Sequence, residues 1–300
     1  MSQSLAVTRD LDTLLTALYA FLDDHVVPAR RIGTPPPLSD TELLCLAIAQ
    51  ALLGYDSTRR FLRAAPERLG HLFPYLPRQS GFNKRLNTAG PLISRAIQAL
   101  SRQVPTWEDE LRLIDSTPLP CAASRETVKR SALAGQAGYG YCRSHSRFFW
   151  GLRLYLVTTA EGMPVTWCLA HPKIGERDVM AALLQRDHDL VCTGQVILAD
   201  KGFAGRRFEE FVTDELGCHL VRPDRKDESP RHGRLARFRQ WIEAVIDTLK
   251  GQLGLESHGG RTPAGVYART GQRLLALAAA IRHNWETDAP VKRSLIAYDH

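Results

Sequence analysis

Along the first hundred residues, apolar side chains recur every three or four positions, the period of one face of an α-helix. The leucines that begin this stripe are Leu11, Leu14, Leu15, Leu18 and Leu22. Further on, Ser39 and Glu42 form a capping-box signature before a long apolar run, and Gly54 marks the end of that helix. The pattern predicts an all-helical region over residues 1–107.

Two short basic segments in this region are compatible with DNA-reading helices. TRRFLRAA, at 58–65, and SGFNKRLN, at 80–87, lie around proline-rich turns, as in a helix-turn-helix. Arginines on such helices are equally typical of a face turned toward water. The pattern therefore leaves both a DNA-binding region and a solvated helix face open.

After residue 108 the apolar pattern becomes that of strands. LRLID, at 111–115, is a short apolar segment that ends in a carboxylate. Residues 148–158 alternate between two faces, and Glu161-Gly162 predicts a turn into 163–169. This order predicts a three-stranded antiparallel meander.

Helices and strands then alternate. We expect helices at 177–190, 208–216 and 233–255, and strands at 196–200 and 218–221. This order is typical of an α/β protein with a ribonuclease-H-like, mixed five-stranded sheet and flanking helices. We expect that domain to cover residues 108–286, with a C-terminal tail over 287–300.

Two aspartates follow strands of this predicted sheet. Asp115 closes LRLID, and Asp200 closes VILAD before a Lys-Gly-Phe turn. The first and fourth strands of such a sheet are neighbours, so the two carboxylates meet although 85 residues separate them. Neighbouring carboxylates repel unless a divalent cation neutralises them, which predicts a Mg²⁺ or Mn²⁺ site. Taken alone, Asp200 is equally suited to capping the next helix.

The last predicted helix offers a third carboxylate. Arg239, Glu243, Asp247 and Lys250 share one edge of it, beside a buried stripe that begins at Phe238. Glu243 lies at the centre of that edge. Intrahelical salt bridges, worth only ~0.3–0.5 kcal/mol each, are the alternative interpretation. The two strand-end aspartates favour a catalytic one.

Charge and composition add a partner class. The net charge of +7 makes nucleic acid a plausible partner, and 44% hydrophobic residues suffice for a core. Five Lys/Arg against one acid at 125–147 suit a flexible loop that grips a distorted DNA end, and seven against three at 222–239 suit a second contact with DNA. A solvated loop is the alternative interpretation of either stretch. The longest apolar run, 274–281, is too short to span a membrane, and we expect a cytoplasmic, nucleoid-associated protein.

The six cysteines are scattered, which makes disulfides improbable in a cytosolic chain. Two Cys-x2-His pairs, Cys142/His145 and Cys168/His171, have the spacing of zinc ligands. Since Cys168 falls in an apolar, strand-like run, a buried thiol is the simpler interpretation. A zinc-binding module is the weakest of the functions considered.

Taken together, these motifs resemble those of the DDE transposases of bacterial insertion sequences. The resemblance rests on LIDSTPLP, FFWGLRLYLVTTAEGMPV, ADKGF and Arg239-x3-Glu243-x6-Lys250, which is similar to the family's Tyr-x2-Arg-x3-Glu-x6-Lys signature with Ala236 at the tyrosine position. Their order and spacing are more specific than any one of them. They cover about residues 110–250.

The resemblance implies strand cleavage and strand transfer by two Mg²⁺ ions, with Mn²⁺ as a substitute, held by Asp115, Asp200 and Glu243. Gly202 and Phe203 would shape the turn that holds Asp200. The implied partners are double-stranded DNA, as terminal inverted repeats and target, and a second copy in a synaptic homodimer, with no membrane. The candidates for DNA or phosphate contacts are Arg239, Lys250, Lys201, Arg153, Lys129 and Arg130.

Two alternatives stay open at this point. A metal-dependent nuclease of the same fold would cut DNA without joining it. A non-catalytic DNA-binding regulator derived from such an enzyme would do neither. The presence of all three acids favours catalysis.

Overall fold

The computed structural model describes residues 10–27, 36–142, 146–224, 228 and 235–298, with the backbone alone for 236–239. The first helices are α1 (Leu11–His25), α2 (Asp40–Leu52), α3 (Thr58–Leu69), α4 (Gln79–Thr88) and α5 (Gly90–Ser101). In chain order there follow β1 (Leu111–Ala122), α6 (Arg125–Lys129), β2 (Gly138–Cys142), β3 (Arg147–Thr159), β4 (Pro164–Ala170), α7 (Glu176–Arg186), β5 (Val196–Leu198), α8 (Arg206–Glu210), β6 (His219–Val221), α9 (Ala236–Asp247) and α10 (Pro263–Glu286).

The chain divides into two compact units. The helical unit comprises the described residues up to Val104, Leu249–Gly260 and the chain from Ala264 onward, whereas the sheet unit comprises Pro105–Thr248 and Arg261–Pro263. The division near residue 105 lies close to the expected boundary. The C-terminal helix, which we had assigned to the 108–286 domain, lies with the N-terminal helices instead.

The helical unit is built around two helices that are buried on almost all sides, α2 and α10. The Nε2 atom of Gln272, on α10, donates a hydrogen bond to the carbonyl oxygen of Ala47 on α2, at 2.6 Å. A helix that is buried on nearly all sides must be enclosed by others, and the N-terminal helices provide that enclosure. This explains why α10 leaves the sheet unit.

Local signals in the helical unit act as expected. The leucine stripe of α1 is buried. Ser39 and Glu42 make both hydrogen bonds of the capping box, and Gly54, after α2, has a φ of 68°, in the left-handed region. The predicted start and stop of α2 are therefore confirmed.

The sheet unit contains a six-stranded mixed sheet, and five of its strands run in the order β4-β3-β1-β5-β6. The pairs β3–β4 and β1–β3 are antiparallel, and β1–β5 and β5–β6 are parallel. The added strand, β2, pairs with residues 147–151 of β3, beside the segment that pairs with β4. This is the predicted ribonuclease-H-like order, with one strand more than the five expected.

The extra strand arises where the sequence pattern had indicated a flexible loop. GYGYC, at 138–142, is rich in glycine and was not recognised as strand, yet it pairs with β3 in regular antiparallel register. Its two glycines, Gly138 and Gly140, fit beneath side chains that would collide with any Cβ. The prediction of a loop over 125–147 is therefore wrong for β2 and for α6.

Two expected strand lengths also differ. β1 does not stop at Asp115 but continues to Ala122, whereas β5 ends at Leu198, two residues before Asp200. Beyond Leu113, β1 has β3 as its only described partner. The chain of β1 thus stays extended because β3 pairs with it over its length, although β5 has already ended.

One face of this sheet carries the core. Ile114, Tyr155 and Val157 from the strands pack with Val179, Met180 and other residues of α7, and with Phe203 and Phe208 of the segment after β5. The described part of the chain contains no helix that is long and apolar enough to cross a membrane.

Candidate active site

The register of β1 and β5 brings the two predicted aspartates to the same level of the sheet. The last parallel pair is Leu113 with Leu198. Asp115 and Asp200 each lie two residues beyond that pair, so both follow the point at which β5 ends. The expectation that they lie beside each other in neighbouring strands agrees with this register, but Asp115 is inside its strand rather than at its end.

Asp200 begins a short 3-10 turn, Lys201–Phe203. Its side chain makes no capping hydrogen bond to that turn. The turn is held instead by its last residue, because Phe203 is buried and packs against Phe208 with ring centroids 5.8 Å apart. The carboxylate of Asp200 is therefore carried on a turn that is anchored from behind.

The environment of Asp115 is unusual for a carboxylate. Burial, followed by the negative charges of Asp200, Glu176 and Glu243, raises the pKa of Asp115 from 3.8 to about 7, while the N–H of Ser116, donating to Asp115 Oδ1 at 2.7 Å, opposes the rise. Three acidic side chains thus act on Asp115. Without a cation, Asp115 keeps its proton up to near neutral pH.

Glu243 reaches this group from α9, which contacts β1. Its side chain is exposed, and the apolar residues Ile242 and Val245 beside it are buried, as the helical stripe predicts. The stripe residue Phe238 and the proposed phosphate contact Arg239 have side chains outside the described part of the chain. Glu243 therefore approaches from the solvent side, where a ligand can reach it.

Glu176 is a member of the group that the sequence did not reveal. It is the first residue of α7, and its Oε1 atom accepts hydrogen bonds from Arg153 and, at 3.3 Å, from the hydroxyl of Ser116. Arg153 also donates to Ser116 Oγ at 3.0 Å. An acid at the start of the helix after the third strand, two residues from Asp178, was the signal that could have identified it.

Glu176 explains why position 202 is a glycine. A Cβ built at Gly202 would lie 3.0 Å from Oε2 of Glu176, closer than side chains normally approach. The glycine therefore leaves room for Glu176 beside the turn that carries Asp200. This close approach, rather than a special backbone angle, gives Gly202 its role.

The remaining candidate cations are in different situations. Lys201, Lys129 and Arg130 are exposed, and Lys129 pairs with Glu126 at 3.0 Å. Lys250 belongs to the helical unit, in a π-helical segment (Thr248–Gln252) that continues α9, and pairs there with Glu256 at 3.4 Å. A π segment winds more slowly than an α-helix, so Lys250 is rotated from the edge that α-helical spacing predicted.

One arginine of the basic stretch at 222–239, Arg222, stabilises the fold. Arg222 is buried and donates hydrogen bonds to Glu209 and Glu228, which neutralise it. It therefore supports the end of β6 rather than offering a charge to DNA. Most of the other basic residues of this stretch lie outside the described residues.

The chemistry of the acidic group fits a divalent cation, although no three His, Cys, Asp or Glu residues are gathered closely enough to hold a metal within the described ranges. The donors are carboxylate oxygens, which Mg²⁺ and Mn²⁺ prefer. Their mutual repulsion, visible in the raised pKa of Asp115, is the force that a cation would relieve. The group suits an ion that draws the carboxylates together.

Of the two cysteine–histidine pairs, only Cys168/His171 lies wholly within the described residues. Cys168 packs against the hydrophobic core, and burial raises the pKa of its thiol to about 11, which keeps it protonated. His145, the partner proposed for Cys142, lies outside the described residues. Core packing of Cys168 is the interpretation that the structure supports.

Comparisons with known proteins identify the family of the chain. A search of curated proteins finds no match. Among solved structures, a piggyBac transposase in a synaptic complex with hairpin DNA is similar over 96% of this chain and 84% of that chain, at 9% identity and a TM-score of 0.41, too distant to carry an argument. The family described as "Transposase DDE domain" matches residues 106–279, more than half of the chain. The chain therefore belongs to the DDE-domain transposases, a family that generally uses divalent metal ions.

Proposed function

We propose that this transposase binds the terminal inverted repeats of its element and performs Mg²⁺-dependent strand cleavage and strand transfer at Asp115, Asp200 and Glu243. The observation that carries the proposal is the shared level of Asp115 and Asp200 beyond the Leu113–Leu198 pair. The influence of Glu243 on the pKa of Asp115 supports its membership in the same site.

The carboxylates of Asp115, Asp200 and Glu243 are the groups that would hold the metal. When bound there, two Mg²⁺ ions, or Mn²⁺ in their place, would supply Lewis-acid activation of a water or a 3′-hydroxyl and stabilisation of the leaving oxygen. The N–H of Ser116 fixes one oxygen of Asp115, which leaves the other to turn toward a ligand. Loss of the proton from Asp115 must accompany this binding, because ligating carboxylates are ionised.

Arg153 and Glu176 would neutralise each other and keep the site ordered before substrate arrives. The guanidinium of Arg153 is largely enclosed and bonded to Glu176 and Ser116. A phosphate that enters the site would be a second anion for Arg153. The guanidinium could then bind the phosphate while it keeps its bond to Glu176, and so bridge protein and DNA. Lys201, exposed next to Asp200, is placed for a neighbouring phosphate.

Lys250 needs a change of partner to contact DNA. Its present pair with Glu256 is partly exposed, and such pairs contribute only ~0–1 kcal/mol. Exchange for a phosphate therefore costs little. Arg239, Lys129 and Arg130 complete the proposed contacts.

The helical unit would supply recognition of the repeat. In α3, Phe61, Ala65 and Leu69 are buried, while Arg59, Arg60, Arg63 and Arg68 are exposed. α3 contacts α4, which carries the exposed Lys84. This pair of helices is suited to a helix-turn-helix contact with double-stranded DNA. Two repeats held together would call for a homodimer.

The test is product analysis on a duplex that ends in the inverted repeat from the flanking genomic sequence, with target DNA and Mg²⁺. We expect nicked repeat ends and joined strand-transfer products from the wild-type protein, and neither from Asp200→Asn. Cleavage without joined products would indicate a nuclease instead. Repeat binding without any cleavage would indicate a regulator, and full activity of Asp200→Asn would refute the site.

A further inference from the structure

An aromatic surface lies at the end of the sheet unit, on the hairpin of β2 and β3. Tyr139, Tyr141 and Phe148 are 53%, 44% and 77% exposed, and we call these three residues the aromatic platform. Tyr141 is paired directly with Phe148, and Tyr139 with the buried Trp150. Directly paired residues of antiparallel strands point to the same face, so these rings form one ladder.

The opposite face of this hairpin is closed. A Cβ at Gly140 would lie 2.6 Å from the ring of Phe149 and 2.8 Å from Pro172, and one at Gly138 would lie 2.2 Å from His171. The alternation of tyrosine and glycine in β2 therefore packs one side and presents rings on the other. Tyr141 and Phe148, whose centroids are 4.9 Å apart, support each other on the open side.

The aromatic platform shares a face with the proposed catalytic aspartate. Asp115 pairs directly with Leu156, so their side chains lie on the same face of the sheet. Phe148 lies eight residues before Leu156 on β3, and because this is an even number its side chain lies on that face as well. Eight residues of strand span ~26 Å. This length corresponds to about eight base steps of duplex DNA.

The charge around the aromatic platform is positive. Arg147 precedes Phe148 and is exposed. The segment that leads into β2 exposes three cations, Arg125, Lys129 and Arg130, and one acid, Glu126. The ion pair between Glu126 and Lys129 is exposed and therefore weak. β1, which that segment follows, ends beside Trp150, so these cations belong to the same end of the sheet.

We infer that the aromatic platform is a binding site for unpaired bases of DNA, about eight base steps along the sheet from the proposed site of cleavage. Every base has a flat face that stacks on an aromatic ring, and the neighbouring cations suit the attached phosphates. The inference rests on the proposed function, because it assigns the DNA that the catalytic face acts on. A second copy of this chain is a poorer occupant, since a twofold contact would bring the same positive charges together.

The experiment measures binding of a fluorescein-labelled oligodeoxythymidine of about 12 nucleotides, within the range that single-strand sites accommodate, by anisotropy in EDTA. We expect Tyr141→Ala and Phe148→Ala each to weaken binding about tenfold, and Tyr141→Phe and Phe148→Tyr to bind like the wild type, because both retain a ring. Tyr75→Ala is the matched control: Tyr75 is 44% exposed, as Tyr141 is, but belongs to the helical unit.

A second readout reports stacking itself. 2-Aminopurine at a frayed duplex end should be quenched by the wild type and by Tyr75→Ala, and not by the double variant Tyr141→Ala/Phe148→Ala. Oligonucleotide binding by the double variant within about twofold of the wild type would overturn the inference. So would dissociation of a dimer by that variant, in sedimentation, without a change in oligonucleotide affinity.

These outcomes separate the inference from the proposed function. If the aromatic platform does not bind bases but the site cleaves DNA, the alanine variants bind like the wild type while Asp200→Asn still abolishes cleavage. If the proposed function fails, the wild-type protein gives no cleavage whatever the oligonucleotide binding shows.

Discussion

Replacement of Asp115 by asparagine should stabilise the metal-free protein above neutral pH. Burial and three neighbouring carboxylates raise the pKa of Asp115 from 3.8 to about 7. The folded chain therefore keeps a proton that the unfolded chain has released between about pH 4 and pH 7. The free energy of unfolding falls as pH rises through this window, and it stays lowered above it. Asparagine has no proton to lose.

The magnitude follows from the two pKa values. A difference of about three pH units corresponds to ~4 kcal/mol at pH 8, whereas at pH 5 linkage leaves less than ~2 kcal/mol. Relaxation of the side chains and entry of water lower this ceiling. With half of it, ~2 kcal/mol, the unfolding midpoint of a unit of this size rises by ~4–8 °C at pH 8.

The assay is scanning calorimetry of the wild type and Asp115→Asn in EDTA, at pH 5 and pH 8. Asp214→Asn makes the same chemical change at an exposed carboxylate of the same unit, and it should leave the midpoint within about 1 °C of the wild type. Millimolar Mg²⁺ should raise the midpoint of the wild type and not that of Asp115→Asn. A midpoint for Asp115→Asn equal to or below that of the wild type at pH 8 would refute the electrostatic reasoning.

Three further predictions concern the neighbours of Asp115. Glu176→Gln removes one of its like charges, so the pH at which cleavage reaches half its maximum should fall, and a pH–rate profile that is unmoved would count against coupling. Gly202→Ala brings a Cβ to 3.0 Å from Glu176. This variant should slow cleavage about tenfold, while its unfolding midpoint changes by less than about 4 °C. An unchanged single-turnover rate would contradict this prediction. Arg222→Ala leaves Glu209 and Glu228 without their buried partner and should lower the free energy of unfolding, measured in urea, by ~3 kcal/mol or more. A loss of DNA affinity at unchanged stability would show instead that Arg222 faces DNA.

The sequence predicted the sheet unit better than the boundaries within it. Alternation over 148–158 and the turn at Gly162, whose φ is 91°, were sufficient for the hairpin of β3 and β4. The parallel neighbours β1 and β5 followed from strand order, and they align Asp115 with Asp200. The length of β1 could not be predicted in this way, because it depends on pairing with β3, which keeps the strand extended through Pro118 and Pro120.

Other features depend on contacts that leave little trace in one sequence. β2 was missed because Gly138 and Gly140 have low strand propensity. Glycine is needed at these positions because His171 and Phe149 pack against them. Glu176 was missed because its role arises from Arg153, a position we had assigned to DNA alone. The burial of α10 in the helical unit likewise depends on which partners enclose it.

The most direct test of the proposed site is the single-turnover rate of repeat cleavage in Mg²⁺ for Asp115→Asn, Asp200→Asn, Glu243→Gln and the double variant Asp115→Asn/Asp200→Asn. Groups that act as one unit have strongly non-additive effects. We predict that each single change lowers the rate about a thousandfold or more and that the double change lowers it no further. Wild-type rates in any of the three, or losses that multiply in the double variant, would contradict a shared metal site.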